Sequence, residues 1–78
     1  MFYRILTAPP GQGPEERFMV GLYETLKYGS CVGTLRKKDG SNFATTLEEA
    51  RAMLPAGARQ LPFSPKDQFL ELWEGAAP

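Results

Sequence analysis

Few side chains in this sequence could act as nucleophiles, and the groups that would activate them are missing. Cys31 is the single cysteine, and the chain contains no histidine. A cysteine or serine nucleophile needs a base to take its proton, and histidine is the usual base. One chain of this sequence therefore cannot form a Cys–His pair or a Ser–His–Asp triad. We expect Cys31 to be a small buried residue of a strand, as unpaired cysteines commonly are.

Acidic side chains occur in groups that could serve acid–base or metal chemistry if two of them faced one cleft. The groups are Glu15 with Glu16, Glu48 with Glu49, and Asp67 with Glu71 and Glu74. Glu48 and Glu49 have a simpler role, because acidic residues stabilise the start of a helix. A zinc site would lack its usual imidazole and thiolate ligands. The sequence therefore predicts no catalytic group, no metal and no cofactor, and it favours a non-enzymatic protein.

A short basic run, Arg36-Lys37-Lys38, could bind phosphate. It directly precedes Asp39-Gly40, which is a strong turn signal. A charged hairpin tip more often protects a sheet against edge-to-edge pairing. The chain carries nine basic and nine acidic residues, so it lacks the positive excess that nucleic-acid binding requires. We therefore expect no nucleic-acid partner.

The segment TAPPGQGPEERF, Thr7 to Phe18, has the glycines of a ligand-cradling loop but also three prolines. Phosphate-binding loops need consecutive backbone amides that point inward, usually just before a helix. Proline has no amide hydrogen, and no helix is predicted after this segment. We interpret the segment as a semi-rigid connector between two strands, with contact to a partner as its remaining functional role.

Large rings are abundant for a chain of this length. The 78 residues include five phenylalanines, three tyrosines and one tryptophan. So short a chain has a thin core, because it buries only about 60–65% of its unfolded surface. Exposed rings mark interfaces or ligand sites. The leading hypothesis is a binding or accessory module that forms a homodimer, or contacts another protein, through an aromatic sheet surface with the candidate residues Tyr23, Tyr28, Phe69 and Trp73.

The alternative hypothesis is a small-molecule binder, or a minor enzyme, with a pocket between helix and sheet or at a dimer seam. The candidate ligand-contacting side chains are Arg4, Arg36 and Arg59, and Tyr23 could join them. The two hypotheses predict different surfaces. A partner module should show a broad, flat apolar patch, whereas a ligand binder should show a concave pocket with a few convergent polar groups.

The elements that position these residues follow from the apolar pattern. Strands are predicted at residues 2–7, 17–26 and 31–37, and residues 27–30 have the composition of a turn. Both faces of the second strand are partly apolar, so we expect it to be central in the sheet. Gly21 and Gly33 lie inside predicted strands, which indicates a bulge or a close approach of backbones.

Residues 45–54 are predicted to form a helix. Thr45 with Glu48, or Thr46 with Glu49, fits a capping box, and Pro55 ends the helix. Its apolar stripe consists of Leu47, Ala50, Met53 and Leu54.

Residues 64–74 fit two alternatives, a turn followed by a strand or a helix that starts at Ser64. We favour the strand, because a further strand would give the helix a larger sheet to cover.

Residues 1–78 are thus predicted to form a single α+β domain. It has an antiparallel sheet of four or five strands with one short capped helix packed on one face, in the order ββ-hairpin then β-α-β(β), and residues 75–78 form a frayed tail. No apolar run reaches the roughly 18 residues that cross a bilayer, and no signal peptide is evident. Together with the free thiol, this predicts a cytoplasmic protein. The layout resembles that of many short bacterial open reading frames, and this resemblance implies no function.

Overall fold

The computed structural model describes residues 1–8 and 16–78. Five strands form one antiparallel sheet in the spatial order β3-β2-β1-β5-β4. The elements in chain order are β1 (Phe2–Thr7), β2 (Phe18–Tyr23), β3 (Cys31–Thr34), α1 (Leu47–Ala52), β4 (Arg59–Leu61) and β5 (Glu71–Glu74). The predicted class, a small antiparallel sheet with one helix, is confirmed.

One face of the sheet holds the hydrophobic core. The residues buried there are Tyr3, Ile5, Phe18, Val20, Ala44 and Ala50. Ala50 comes from α1, and Leu47, Met53 and Leu54 pack around the same core, as the predicted apolar stripe requires. The helix is shorter than predicted at both ends. A single short helix is stable here because it packs on the sheet, since two turns do not persist alone in water.

Of the two proposed capping boxes, Thr46 with Glu49 forms the N-cap bond, but the carboxylate of Glu49 accepts from Thr45 and not from the backbone N–H of Thr46. The hydroxyl of Thr46 accepts a hydrogen bond from the backbone N–H of Glu49, at 3.0 Å. The Glu49 carboxylate turns back to Thr45, whose hydroxyl donates to it at 2.8 Å. Helix α1 therefore begins after Thr46, where the orphan donors of its first turn find acceptors.

Strands β2 and β3 are shorter than the sequence pattern suggests, because the chain between them folds back on itself. The Ser30 hydroxyl donates to the carbonyl of Lys27 at 2.6 Å and accepts from the backbone N–H of Thr25 at 3.1 Å. Such side-chain hydrogen bonds compete with the backbone hydrogen bonds between β2 and β3, so β2 ends at Tyr23. The register then shifts between Leu22 and Tyr23, which is the irregularity predicted from the glycines.

Cys31 is exposed, so the expectation that it is buried is wrong. The reason is the position of its strand. β3 lies at one edge of the sheet, and none of its four residues is buried. Strand β2 lies one place inside that edge, between β3 and β1, so it is an interior strand as expected, but the central strand of the sheet is β1.

The end of the chain forms a strand, as favoured, and not the alternative helix. β5 pairs with β1 on one side and with β4 on the other, so its backbone groups have partners along both edges. Beyond β5, the N–H of Gly75 donates to the carbonyl of Met1 at 3.0 Å, and the Tyr3 hydroxyl donates to the carbonyl of Ala76. Fraying of residues 75–78 stays a prediction.

The predicted connector with Gly11 and Gly13 lies outside the described residues. Its flanks are joined, because the N–H of Ala8 donates to the carbonyl of Arg17 at 2.8 Å. Within residues 1–8 and 16–78, no helix has the length and apolar character needed to cross a bilayer.

Candidate functional site

The face of the sheet opposite the helix carries a buried arginine near its centre. Arg4 lies in β1, the middle strand, and only 3% of it is exposed. Neighbouring residues of a strand point to opposite faces, so Arg4 points away from the core that contains Tyr3 and Ile5. A cation is thus buried on the side of the sheet that has no helix.

Three rings surround the Arg4 guanidinium, and we call them the aromatic cage: Tyr23, Tyr28 and Phe69. The guanidinium carbon lies 4.2 Å from the ring centre of Tyr23, 4.3 Å from that of Tyr28 and 5.1 Å from that of Phe69. Phe63 packs behind Phe69, with the two ring centres 4.6 Å apart. Each cation–π contact of this kind contributes on the order of 0.5–2 kcal/mol. The cage therefore stabilises the charge, through the faces of the rings.

The hydrogen-bond donors of Arg4 are mostly unused. Its Nη2 donates to the carbonyl of Leu26, whereas Nε and Nη1 are buried and have no hydrogen-bond partner among the described residues. The rings stabilise the positive charge, but they do not replace the water oxygens that accept hydrogen bonds from a guanidinium in solution. The ion pairs in the described part of the chain use other cations: Lys37, Arg51 and Arg59. Among the described residues, Arg4 is therefore a buried charge without a counterion.

Gly21 explains how the Tyr23 ring reaches Arg4. Gly21 is the partner of Arg4 in the β1–β2 ladder. A Cβ atom at Gly21 would lie 2.8 Å from Cε1 of Tyr23 and 3.0 Å from its hydroxyl oxygen. The ring therefore lies across the bare backbone of the glycine, whereas the sequence predicts a bulge or a close approach of backbones at this residue. Burial raises the pKa of the Tyr23 hydroxyl, with the nearby Cys31 adding to the shift and Arg4 opposing it.

A cleft of about 360 Å³ adjoins the cage, and we call it the Tyr28 cleft. Its walls are Tyr28, Lys66, Asp67 and Gln68. Tyr28 begins a short 3-10 turn, Tyr28–Ser30, and is 52% exposed. The Tyr28 ring thus belongs both to the cleft and to the cage that encloses Arg4. It is the one member of the cage with a large exposed fraction, since Tyr23 and Phe69 are buried.

A second cavity, of about 330 Å³, lies where the basic run meets the helix. Its walls are Arg36, Lys37, Lys38, Glu49, Ala52 and Met53. Lys37 has a structural role there, because its ammonium lies 2.6 Å from a Glu49 oxygen. Together with Thr45, Lys37 lowers the pKa of Glu49 to about 2. The candidate Arg36 therefore belongs to this cavity and not to the Tyr28 cleft.

Two further candidates also lie away from Arg4. Trp73 packs against the helix-side core, and its indole N–H donates to Glu71 at 2.9 Å. Arg59 lies in the edge strand β4, where its Nε donates to Glu74 at 3.0 Å. The structure thus brings Arg4, Tyr23, Tyr28 and Phe69 together and separates them from Trp73, Arg36 and Arg59.

Sequence reasoning missed the residues that complete the cleft. Residues 64–67 are read correctly as a turn, which the structure closes by a 3.0 Å bond from the Asp67 N–H to the Ser64 carbonyl. Nothing in the local pattern connects that turn with Tyr28, which is distant in sequence. The signal that could have found them is the ring at Phe69, next to a turn that carries Lys66 and Asp67.

Neither metal ligands nor relatives add to this description. In the part of the chain that the structure describes, no three histidine, cysteine, aspartate or glutamate side chains are placed to hold a metal ion. No protein family, curated protein or solved structure matches the chain. Its function has to be inferred from the site.

Proposed function

We propose that this protein is a non-enzymatic binding module that holds a small molecule in the Tyr28 cleft. The observation that supports the proposal is the double role of Tyr28, which lines the cleft and packs 4.3 Å from the buried Arg4 guanidinium. Small-molecule sites are concave, with aromatic walls and a few convergent polar groups. A cleft of about 360 Å³ is large enough for a compact ligand.

A binding role suits the chemistry of the chain better than a catalytic one. The sequence has no histidine to act as a base. The Cys31 thiol lies on the exposed edge strand, and its hydrogen-bond acceptor is the carbonyl of Gly33 at 3.6 Å, not a side-chain base. A free exposed thiol persists in a reducing compartment, and on that ground we propose a cytoplasmic protein.

Self-association is the second candidate, and the observation that favours it is the set of exposed large apolar residues: Leu26, Tyr28, Val32 and Leu70. The two edge strands of the sheet are poorly suited to pairing with a second copy of the chain. The outer strand β3 contains a register irregularity with β2, and β4 carries Arg59 and is followed by Pro62. Bulges, charges and prolines at an edge oppose pairing with another sheet. A dimer would therefore form through side chains of segment 26–32.

Burial of the aromatic rings also favours the ligand hypothesis over self-association. Tyr23 and Phe69, two of the four candidate interface residues, are already buried within one protomer. Trp73 is half-buried against the helix-side core. The three rings therefore have little surface left for a partner, which disfavours a broad aromatic interface.

A thermal-shift panel of small anionic, zwitterionic and aromatic metabolites tests the binding proposal. A ligand at 100 times its Kd adds about 2.7 kcal/mol of stability, so a true ligand raises Tm clearly. Gln68→Trp should block the cleft and abolish the shift. Gln60→Trp is the matched control, an exposed glutamine on β4 outside the cleft, and should preserve the shift. A panel without any hit contradicts the proposal.

Light scattering at micromolar concentration separates the two candidates. The binding proposal expects a monomer that keeps its mass when Leu26 and Val32 are both replaced by serine. A dimer that the double substitution converts to a monomer would favour self-association, because these two residues lie outside the cleft walls.

A further inference from the structure

We propose that Arg4 is the anion-binding group of the Tyr28 cleft and takes the carboxylate of a small ligand with a flat apolar body, after the Tyr28 ring moves aside. This inference rests on the proposed function, because it assumes that the cleft takes a small molecule. It adds the chemical class of the ligand and the side chain that recognises it.

The first support is the state of the Arg4 donors. Arg4 is only 3% exposed, yet its Nε and Nη1 lack hydrogen-bond acceptors among the described residues. The rings of the aromatic cage provide π faces, but N–H groups along the guanidinium edge need oxygen acceptors. Nε–H and Nη1–H lie on different edges of the guanidinium, and each of these edges also contains Nη2. A carboxylate can therefore accept from one of them together with the remaining Nη2 hydrogen, and it supplies a negative charge.

The second support is the cost of keeping an arginine at this position. A buried charge without a counterion is unfavourable, and an apolar side chain of similar length would fill the same space without that penalty. Stability given up at one residue is a common feature of binding sites. Recognition of an anion gives the Arg4 charge a use that packing alone does not.

The Tyr28 ring is the group that moves aside when a ligand reaches Arg4. Tyr28 is 52% exposed, whereas Tyr23 and Phe69 are buried, so it is the member of the aromatic cage with room to move. The backbone around it is held by the Ser30 hydroxyl, which donates to the carbonyl of Lys27 and accepts from the backbone N–H of Thr25. A side-chain rotation of an exposed residue is fast and leaves these bonds intact. Opening the site therefore does not require the fold to change.

The charges of the cleft select the kind of anion. Lys66 adds a cation to the wall, and Asp67 adds an adjacent negative charge. Asp67 repels a second negative charge on a ligand more than it repels the first, since the first is neutralised by Arg4. Phe69 packs on the guanidinium, and Phe63 packs on Phe69 with the two ring centres 4.6 Å apart, so the surroundings of Arg4 suit an apolar ring. The favoured class is an aromatic monocarboxylate, not a phosphate or a nucleotide.

NMR titration of the full chain tests this inference directly on the unmodified protein. The probe is benzoate, and benzamide is its neutral counterpart of nearly the same shape. We expect benzoate to move the Nε–H resonance of Arg4 together with the backbone amides of Lys66 and Gln68, and benzamide to leave the Arg4 resonance unmoved. An Arg4 resonance that benzoate does not move overturns the inference.

The titration distinguishes failure of the inference from failure of the proposed function. If benzoate and benzamide shift Lys66 and Gln68 equally and leave Arg4 unchanged, the cleft binds small molecules and the role of Arg4 is refuted. If neither compound nor any member of the metabolite panel shifts these residues, both proposals are refuted.

Two variants and a second probe give quantitative expectations. Arg4→Met keeps the length of the side chain and should weaken benzoate binding about tenfold or more, since a charge-assisted bond is lost. Tyr28→Ala removes the covering ring and should strengthen it several-fold, because more of the population is open. Arg59→Met, at an exposed arginine on β4, is the matched control and should bind as the wild type does. Inorganic phosphate should bind at least about tenfold more weakly than benzoate, and tighter binding of phosphate refutes the ligand class.

Discussion

The two faces of the sheet differ in the partners that they provide for a buried charge. On the helix face, Glu71 is 5% exposed, Arg51 Nε donates to both of its oxygens at 2.9 Å, and Trp73 donates to it as well. On the other face, Arg4 is as deeply buried but has rings and one carbonyl as neighbours. The helix face therefore neutralises its charge, and the other face leaves donors unused.

Under our proposal, this difference separates a stabilising face from a binding face. The carboxylate of Glu71 bridges β5 and helix α1, and Arg51 lowers its pKa more than burial raises it. Arg4 has no comparable partner in the described residues, so its burial subtracts from stability. The unpaired donors of Arg4 are the groups to which, under our proposal, a ligand would bind.

The largest expected effect comes from the core of the helix face. Ile5→Ala should lower the free energy of unfolding by about 3 kcal/mol, since Ile5 is fully buried and a cavity would remain. Leu6→Ala is the control on the opposite face, where Leu6 is half-buried, and it should cost less than half as much. Urea denaturation measures both. Equal losses would show that the two faces do not differ in packing.

Gly21→Ala should have the next largest effect, a loss of about 1–2 kcal/mol, because the new methyl group would overlap the Tyr23 ring. The displaced ring should also shift the Nε–H resonance of Arg4. Gly29→Ala is a matched control, since a Cβ atom there meets nothing within 4 Å. If both substitutions are tolerated equally, the close packing of Tyr23 on Gly21 is refuted.

Arg4→Met should raise the free energy of unfolding by about 1 kcal/mol, as replacements of buried charges by apolar residues often do. Lost contacts with the rings and with the Leu26 carbonyl offset part of the gain. Thermal and urea unfolding provide the measurement. A clear loss of stability would mean that the aromatic cage fully compensates the charge, and the contrast between the faces would disappear.

The smallest effect concerns acid stability at the helix end of the molecule. Because Lys37 and Thr45 lower the pKa of Glu49 from 4.5 to about 2, the contribution of Glu49 is present above pH 4.5 and is lost as the pH falls towards 2. Glu49→Gln should flatten this part of the stability profile. Glu48→Gln, at the neighbouring exposed position, should leave it unchanged. Identical profiles for the two variants would contradict the assignment.

Local sequence patterns were sufficient for much of the fold. The apolar run of residues 2–7 and the proline after Ala8 define β1, and Thr46 with Glu49 defines the start of α1. Gly21 was recognisable as a close approach because glycine is unfavourable inside a strand without such a reason. These features depend on contacts between residues that are near in the chain, which short-range sterics and hydrogen bonds control.

The pairing of distant segments decided the rest. Residues 68–74 fit a strand or a helix locally, and the free ladder edges of β1 and β4 selected the strand. Cys31 was expected inside and lies outside, because the sheet order places β3 at an edge. Arg4 shows no sign in the sequence of its burial, since Tyr28 and Phe69 reach it from loops far along the chain. Burial and charge pairing depend on which segments meet, and that depends on the folded chain as a whole.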